Sequence, residues 1–221
     1  MKRMTSEFLA VDGLDGVYIA RARNLNCFAL RLRHGGLCLY NPIRGISDAV
    51  SKQLNDLGGV SVILAPNHYH NMGLLEHAKA FPRAAIVCSA AAEPRLRKVT
   101  ELNFEPVEKL KAYLAKNHEI LEPEGLKTGE VWVQISESVT NWIVADAFSS
   151  ELRSLGVIEE TATLLRTFPK FGVKDADNYK HWVLDLMESS SPTRLLSCHG
   201  SPVVTPGLKE QLSALLNSLN K

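Results

Sequence analysis

The sequence predicts an α/β fold in which two strand-rich halves, each with its own helices, form a single domain over residues 1–221. Apolar and polar residues alternate in two separate stretches, a pattern typical of half-buried strands. Short unbroken apolar runs, VSVILAP and AAIVCSA, are typical of strands buried on both faces. The chain has 221 residues, 45% of them hydrophobic, and no internal repeat, so it can bury a substantial core and is not disordered.

The first half begins with three predicted strands. They are VYIARA from Val17, CFALRLR from Cys27, and LCLYNP after a turn at His34-Gly35-Gly36. A Gly-Gly pair between two alternating runs is a hairpin signal. Apolar residues at helical spacing then predict a helix with Ser47 as N-cap and Gly58 as its stop.

Further elements follow in order along the chain. The strand VSVILAP leads to a short helix in MGLLEHAKAFP, which Pro82 ends, and then to the strand AAIVCSA. The stretch from Ala91 to Lys116 predicts helix, broken near Asn103–Pro106. The second half predicts the strands HEILEP, EVWVQIS and NWIVADA, a region of helix and loop over residues 148–178, a helix in YKHWVLDLMES, a strand in TRLLSCHG, and a closing amphipathic helix from Gly207 to Leu219.

Composition excludes several function classes. Lys and Arg number 25 against 24 Asp and Glu, so no basic surface is expected and nucleic acid is not a predicted partner. No run reaches the roughly 18–20 apolar residues of a membrane span, and the N-terminus lacks the apolar segment of a signal peptide. The four cysteines form no CxxC pair and sit in apolar runs, as buried thiols do. We therefore expect a cytoplasmic protein with no membrane partner.

Side chains that can bind a metal ion follow three predicted strands, in the segments VILAPNHYHN, WIVADAF and LLSCHGSP. These segments contribute His68 and His70, then Asp146, then His199. In α/β folds, ligands gather at the carboxyl ends of strands. If the backbone at residues 68–70 is extended, both imidazoles point to the same side and can reach one ion. Gly200 allows a sharp turn that leaves the ring of His199 exposed at the strand end.

Three imidazoles and one carboxylate suit Zn²⁺, and iron or manganese would accept the same set. Water on such an ion can lose a proton near neutral pH and become a nucleophile, so hydrolysis is the natural chemistry. Each residue alone also has an ordinary structural explanation, because histidines at strand ends are commonly hydrogen-bonded and an aspartate after a strand commonly caps a helix. Their joint occurrence after three strands favours a metal site.

In order and spacing, these segments resemble the metallo-β-lactamase superfamily over roughly residues 17–202. Its pattern has an HxHxDH motif after an early strand, a GHTPG-like turn, an aspartate that ends a later strand, and a final HG pair. This chain shows His68-Tyr69-His70, then Gly125–Val131, then Asp146, then His199-Gly200. The resemblance implies a four-layer αβ/βα sandwich of two mixed β-sheets flanked by helices.

The chain departs from that pattern at several positions. Asn41, which follows the strand LCLY, stands where the superfamily usually has an aspartate. Counting on from His68, the aspartate and histidine that complete the motif fall on Met72 and Gly73, neither of which can bind the second ion. The histidine of the turn falls on Leu126. The resemblance thus implies one mixed site formed by the four remaining residues.

Two further points stay open in the sequence. A shift of two residues in the loop would place His68 on the second histidine of the motif and His70 on its aspartate. Asp175 and Asp177 could approach the site from a loop, although a solvated turn before a helix is the favoured interpretation.

Two functions are compatible with these patterns. The first is a metal-dependent hydrolase with one ion, Zn²⁺ or else iron or manganese, in which Asp146 and His199 take part in cleaving a small ester, thioester, amide or phosphodiester. The second is a catalytically inactive, metal-free member of the fold that serves as a binding or scaffold module. With either function, edge strands near the N-terminus could pair across a homodimer.

Overall fold

A computed structural model describes residues 5–219, which fall into two compact units divided between Lys116 and Asn117. Each unit contains one β-sheet with both parallel and antiparallel strand pairs, and helices accompany both sheets. The predicted α/β fold with two mixed β-sheets flanked by helices is confirmed. The grouping of both units into a single domain stays a prediction.

Within residues 5–116, the sheet of the first unit has seven strands arranged in the order of the sequence. The strands are β1 (Leu9–Ala10), β2 (Val17–Ala22), β3 (Leu25–Arg31), β4 (Leu37–Tyr40), β5 (Val60–Leu64), β6 (Ala85–Cys88) and β7 (Glu105–Pro106). Pairing is antiparallel from β1 to β4, where short turns join the strands, and parallel from β4 to β7. Parallel neighbours need a crossover, and helices supply the crossovers that follow β4, β5 and β6.

The helices of the first unit are α1 (Asp48–Asp56), α2 (Leu74–Ala80), α3 (Glu93–Thr100) and a 3₁₀ helix (Val107–Ala112). The Ser47 hydroxyl accepts a hydrogen bond from the Val50 N–H, 3.2 Å away, and Gly58 has a φ of 124° just past the end of α1. Both predicted limits of this helix are therefore confirmed. The predicted break near Asn103–Pro106, within the helical stretch from Ala91 to Lys116, contains β7. This strand has only two residues, too few to show the alternation of apolar and polar residues that predicts a strand.

In the described part of the second unit, the sheet has five strands in the order β14-β13-β10-β9-β8. They are β8 (His118–Leu121), β9 (Trp132–Ser136), β10 (Thr140–Val144), β13 (Pro192–Ser197) and β14 (Val203–Val204). β10 and β13 pair in parallel, whereas the other pairs are antiparallel. A separate two-stranded ribbon joins β11 (Ser149–Ser150) to β12 (Ala162–Thr163). Because β10 and β13 are parallel, their carboxyl ends lie at the same edge of the sheet.

Three helices accompany this second sheet as far as residue 219: α4 (Phe168–Phe171), α5 (Ala176–Ser189) and α6 (Leu208–Leu216). The core of the unit is built around Trp132 and Trp142, whose ring centroids are 5.3 Å apart and which are both fully buried. The indole N–H of Trp142 donates to the side-chain oxygen of Gln134, and that of Trp132 donates to Glu130. Polar side chains thus satisfy the two indoles inside an apolar core.

The four cysteines are all buried thiols, as their apolar surroundings in the sequence predict. Within residues 5–219, no helix combines the length and the apolar composition that crossing a bilayer requires.

Candidate metal-binding residues at the ends of parallel strands

Asp146 and His199 lie side by side in the second unit. Asp146 follows β10 and His199 follows β13, so the parallel pairing of these strands brings the two residues to the same edge of the sheet. The Nε2 atom of His199 is 2.9 Å from Oδ1 of Asp146, and the two side chains are 18% and 14% exposed. Since a carboxylate only accepts, Nε2–H is the donor. The pair is a preformed combination of imidazole and carboxylate that solvent can reach.

The turn that carries His199 is fixed by Ser197 and Gly200. The Ser197 hydroxyl accepts from the His199 N–H at 3.0 Å and donates to the Phe148 carbonyl at 2.5 Å. Gly200 has a φ of 96°, and a Cβ there would lie 2.4 Å from the carbonyl oxygen of Ser150. Only glycine fits, as the HG pair in the sequence predicts.

Glu130 is a fully buried carboxylate directly behind the Asp146 loop, and sequence reasoning missed its role. Its Oε1 accepts from the Trp132 indole at 2.8 Å, from the Ala145 N–H at 3.0 Å and from the Ala147 N–H at 3.2 Å. Its Oε2 accepts from the Asp146 N–H at 3.1 Å. Burial, followed by the charge of Asp146, raises the pKa of Glu130 to about 7. An acid placed just before an apolar strand gives no sign in the sequence that it will be buried.

His70 lies in the first unit, in the loop after β5, and hydrogen-bonds Asn41, which follows the neighbouring parallel strand β4. Nδ1 of His70 is 2.8 Å from Oδ1 of Asn41, and both residues are buried. The Asn41 amide is oriented because its Nδ2 donates to the Asn26 carbonyl at 2.7 Å. Asn41 therefore accepts from Nδ1–H of His70, which leaves the lone pair of the imidazole on Nε2.

The loop that carries His68 and His70 turns sharply, so the condition of an extended backbone is not met. Asn67 is buried, and its side-chain oxygen accepts from the N–H groups of Tyr69 at 2.8 Å and His70 at 3.2 Å. The Asn67 side chain thus forms an Asx-turn, which asparagine favours. His68 packs edge-on against Tyr69, with ring centroids 4.3 Å apart. The alternation rule therefore does not establish that the two imidazoles face the same side.

Solved structures with the same architecture cover almost the whole chain. The metallo-β-lactamase FIM-1 from Pseudomonas aeruginosa, in its mono-zinc form, matches with a TM-score of 0.64 at 12% identity, covering 98% of this chain and 97% of that chain. A metallo-β-lactamase from Pontibacter korlensis gives 0.63 at 11% identity, covering 96% and 100%. A metal-soaked Flv1 flavodiiron core from Synechocystis gives 0.63 at 14% identity, covering 99% of this chain and 61% of that chain.

The chain has the metallo-β-lactamase fold. No protein-family model and no curated protein sequence matches it. At 9–14% identity the matched structures show the fold alone. Since they include proteins named as lactamases and one named as a flavodiiron core, the fold does not select a reaction.

Position 73, which matches the last histidine of the superfamily's motif when the count starts at His68, has no room for any side chain. A Cβ on Gly73 would lie 2.3 Å from the carbonyl oxygen of Pro42 and 2.7 Å from the carbonyl carbon of Ile43. The backbone after β4 occupies the space that an imidazole would need. Met72, the other departure in this motif, is 53% exposed.

In the turn at Gly125–Val131, Leu126 stands at the position where the superfamily's turn has a histidine. This leucine packs against the hydrophobic core. Leu126 packs against the apolar cluster of the second unit and forms an isolated β-bridge with Val173. A Cβ on Gly125 would lie 2.4 Å from the carbonyl oxygen of Asp175, so this turn is pressed against the start of α5. Packing therefore explains the apolar residue at position 126.

Asp175 and Asp177 belong to the start of α5. The Asp175 carboxylate accepts from the Asn178 N–H at 3.0 Å, which makes it the N-cap, and Asp177 lies in the first turn. A negative charge at a helix N-terminus is favourable, so both residues have a structural role there.

Proposed function

We propose that this protein is a metal-dependent hydrolase that uses one ion, with Zn²⁺ as the leading candidate and iron or manganese as the others. The proposed ligands are His68, His70, Asp146 and His199. The observation that carries the proposal is the contact between His199 and Asp146 at the ends of two parallel strands. The metallo-β-lactamase fold, one example of which is named as a mono-zinc form, supports it.

The donor atoms fit a borderline cation. Asp146 offers a carboxylate oxygen, and His199 would offer Nε2, 2.9 Å away, because metal binding releases the Nε2 proton. The hydrogen bond to Asn41 fixes the tautomer of His70 that has its lone pair on Nε2, as an outer partner commonly does for a metal-ligating histidine. Oxygen and imidazole ligands together suit Zn²⁺ better than Mg²⁺ or Ca²⁺, which prefer oxygen alone.

A bound Zn²⁺ would polarise a carbonyl or phosphoryl oxygen and lower the pKa of a bound water. The residues of the chain would orient the reactants. Asp146, held by its backbone N–H to Glu130, has a fixed carboxylate that can accept a proton from an attacking water. Asp146 can then return that proton to the leaving group, while His199, on the rigid turn set by Ser197 and Gly200, would hold the ion beside it. The proposed substrate is a small ester, thioester, amide or phosphodiester.

Elemental analysis of the purified protein tests the proposal. We expect about one equivalent of metal in the unmodified protein and less than about a fifth of that in Asp146→Ala and His199→Ala, because each removes a ligand. His181→Ala is the matched control, since His181 is exposed on α5, where its Nδ1 hydrogen-bonds the Asp177 carbonyl of the same helix. Protein that holds no metal and also refuses added Zn²⁺, Fe²⁺ and Mn²⁺ in calorimetry would contradict the proposal.

A second candidate is a catalytically inactive, metal-free module of the same fold. Gly73 and Leu126 favour it, because one position excludes every side chain and the other is used for packing. Under this alternative, the double change of His68 and His70 to alanine leaves the metal content unchanged. A measurable turnover that this double change abolishes would overturn it. For either candidate we propose a cytoplasmic location, with which four buried thiols are consistent.

A further inference from the structure

We propose that Glu130 is a positioning residue: its buried carboxylate fixes the backbone of residues 145–147 and thereby holds the Asp146 carboxylate against His199. The proposal depends on the proposed function only in so far as Asp146 is a metal ligand. No feature of the resemblance noted in the sequence assigns a role to Glu130.

Three consecutive backbone N–H groups point at the Glu130 carboxylate. Ala145 and Ala147 donate to Oε1, and Asp146 donates to Oε2, all within 3.0–3.2 Å. Residues on both sides of Asp146 are therefore tied to one anchor. Because the N–H of residue 146 and that of residue 147 are both held, the peptide planes that flank the Asp146 Cα have fixed orientations. The direction of its Cα–Cβ bond follows from those planes, so the carboxylate starts from a fixed position beside His199.

The core in turn fixes the carboxylate. The Trp132 indole donates to Oε1 at 2.8 Å, and the Trp132 ring is fully buried between Trp142 and Phe148, with centroids 5.3 and 5.9 Å away. Tyr179 packs edge-on against the same ring at 6.4 Å. The packed aromatic rings therefore hold the Trp132 indole in place, the indole N–H holds the Glu130 carboxylate, and the carboxylate holds the loop beside His199.

A neighbouring pair in the same sheet shows why a carboxylate is needed at this position. The Gln134 amide oxygen accepts from the Trp142 indole at 3.0 Å, so a neutral side chain is sufficient to satisfy a buried indole. Glu130 must accept from an indole and from three backbone donors through two different oxygen atoms. An amide has one oxygen and presents donors at its other end, whereas an ionised carboxylate accepts at both. Position 130 therefore needs an acid, because its side chain must hold the backbone of residues 145–147.

Glu130→Gln is the informative variant because it is isosteric. With its oxygen in the place of Oε1, glutamine keeps three of the four hydrogen bonds. Its amino group then faces the Asp146 N–H. Because both groups are donors, the one hydrogen bond that is lost is the bond from the Asp146 N–H. Gln134→Leu is the matched control, since it removes an acceptor for a buried indole in the same sheet without touching the Asp146 loop.

Amide hydrogen exchange followed by NMR measures the effect without any metal. We expect exchange of the Asp146 amide to become at least about tenfold faster in Glu130→Gln, with the amides of α6 unchanged, because only the local anchor is lost. In Gln134→Leu, residues 145–147 should stay within about twofold of the unmodified protein. Equal acceleration throughout the second unit in Glu130→Gln would mean a merely structural role and would overturn the proposal.

Metal affinity provides the second readout. Loss of an outer partner commonly weakens binding 10–100-fold, so we expect a loss of about that size for Zn²⁺ in Glu130→Gln and less than about a twofold change in Gln134→Leu. Unchanged affinity together with unchanged exchange would overturn the role of Glu130. If the unmodified protein binds no metal, the proposed function fails, and the exchange result alone decides the positioning role.

The unmodified protein also tests the idea, should Glu130→Gln fail to fold. If Glu130 anchors the loop, the amides of residues 145–147 exchange as slowly as those of strand β10, although they lie outside any regular element. Fast exchange of these three amides in the unmodified protein would contradict the proposal without any substitution.

Discussion

Asn41 connects two buried polar groups of the first unit. Its backbone has a φ of 60°, a left-handed conformation that asparagine tolerates better than most residues. Its amide donates to the Asn26 carbonyl and accepts from His70, so both ends of the side chain are used. An aspartate, the usual residue of the superfamily at this place, could accept from His70 but could not donate to Asn26. The asparagine therefore suits this particular pair of partners.

Gly73 gives a prediction at the scale of one residue. Changing Gly73 to Ala should lower the free energy of unfolding by about 1–3 kcal/mol, because the new Cβ would overlap the Pro42 carbonyl and the backbone must shift. Urea unfolding measures the change. Gly207→Ala is a matched control: Gly207 also precedes a helix at negative φ, and its Cβ would meet only one carboxylate oxygen, at 3.9 Å. Equal stability of the two variants would show that position 73 has room for a side chain.

The parallel direction of neighbouring strands brings the candidate ligands to the same edge of a sheet. β10 and β13 are separated by about fifty residues of sequence, yet their parallel register pairs Val144 with Ser197. Asp146 and His199 each follow two residues later, which is why the two side chains meet. In the first unit β4 and β5 are parallel in the same way, and Asn41 and His70 follow their carboxyl ends. Each pairing therefore depends on a crossover connection and not on sequence proximity.

Helix α5 gives a prediction at the scale of an element. Asp175→Ala should destabilise the second unit by about 1 kcal/mol, because the Asn178 N–H loses its acceptor, while Asp175→Asn should cost only a few tenths. Denaturant unfolding followed by tryptophan fluorescence reports on this unit, since Trp132, Trp142 and Trp182 all lie in it. If Asp175→Ala instead removed bound metal and left stability unchanged, Asp175 would be a ligand and not a cap.

The whole molecule has two units, each with its own sheet and its own core. In the first unit, β1 is an outer strand of the sheet and pairs only with β2 among the described strands. Its residues Leu9 and Ala10 are exposed. A short exposed edge strand can pair with a second copy of the chain, which is the basis of the predicted homodimer.

Light scattering after size-exclusion chromatography tests this assembly. We expect the unmodified protein to elute with about twice the mass of one chain, and Leu9→Lys to shift it to the monomer, because a lysine on an edge strand opposes pairing. Leu152→Lys is a control at an exposed apolar residue of the other unit and should leave the mass unchanged. A monomeric unmodified protein would show that the edge does not pair.

Sequence patterns were sufficient for the longer strands and helices of this protein and for the residues of the candidate site that follow strands, but not for the two-residue strands. Period-two alternation and unbroken apolar runs predict the strands because burial on one or two faces dictates them, and the caps of α1 follow from local hydrogen bonding. The positions of Asp146, His199 and His70 after strands follow from the same patterns. These are local properties, so they can be read from neighbouring residues.

Tertiary structure decided the features that depend on contacts between residues distant in the sequence. The burial of Glu130 under four N–H donors depends on a strand and a loop about fifteen residues away. The closure of backbone over Gly73 depends on the segment after β4, and the packing of Leu126 depends on the core beside α5. In each case the deciding contact joins residues that are close in space although they are far apart in the sequence.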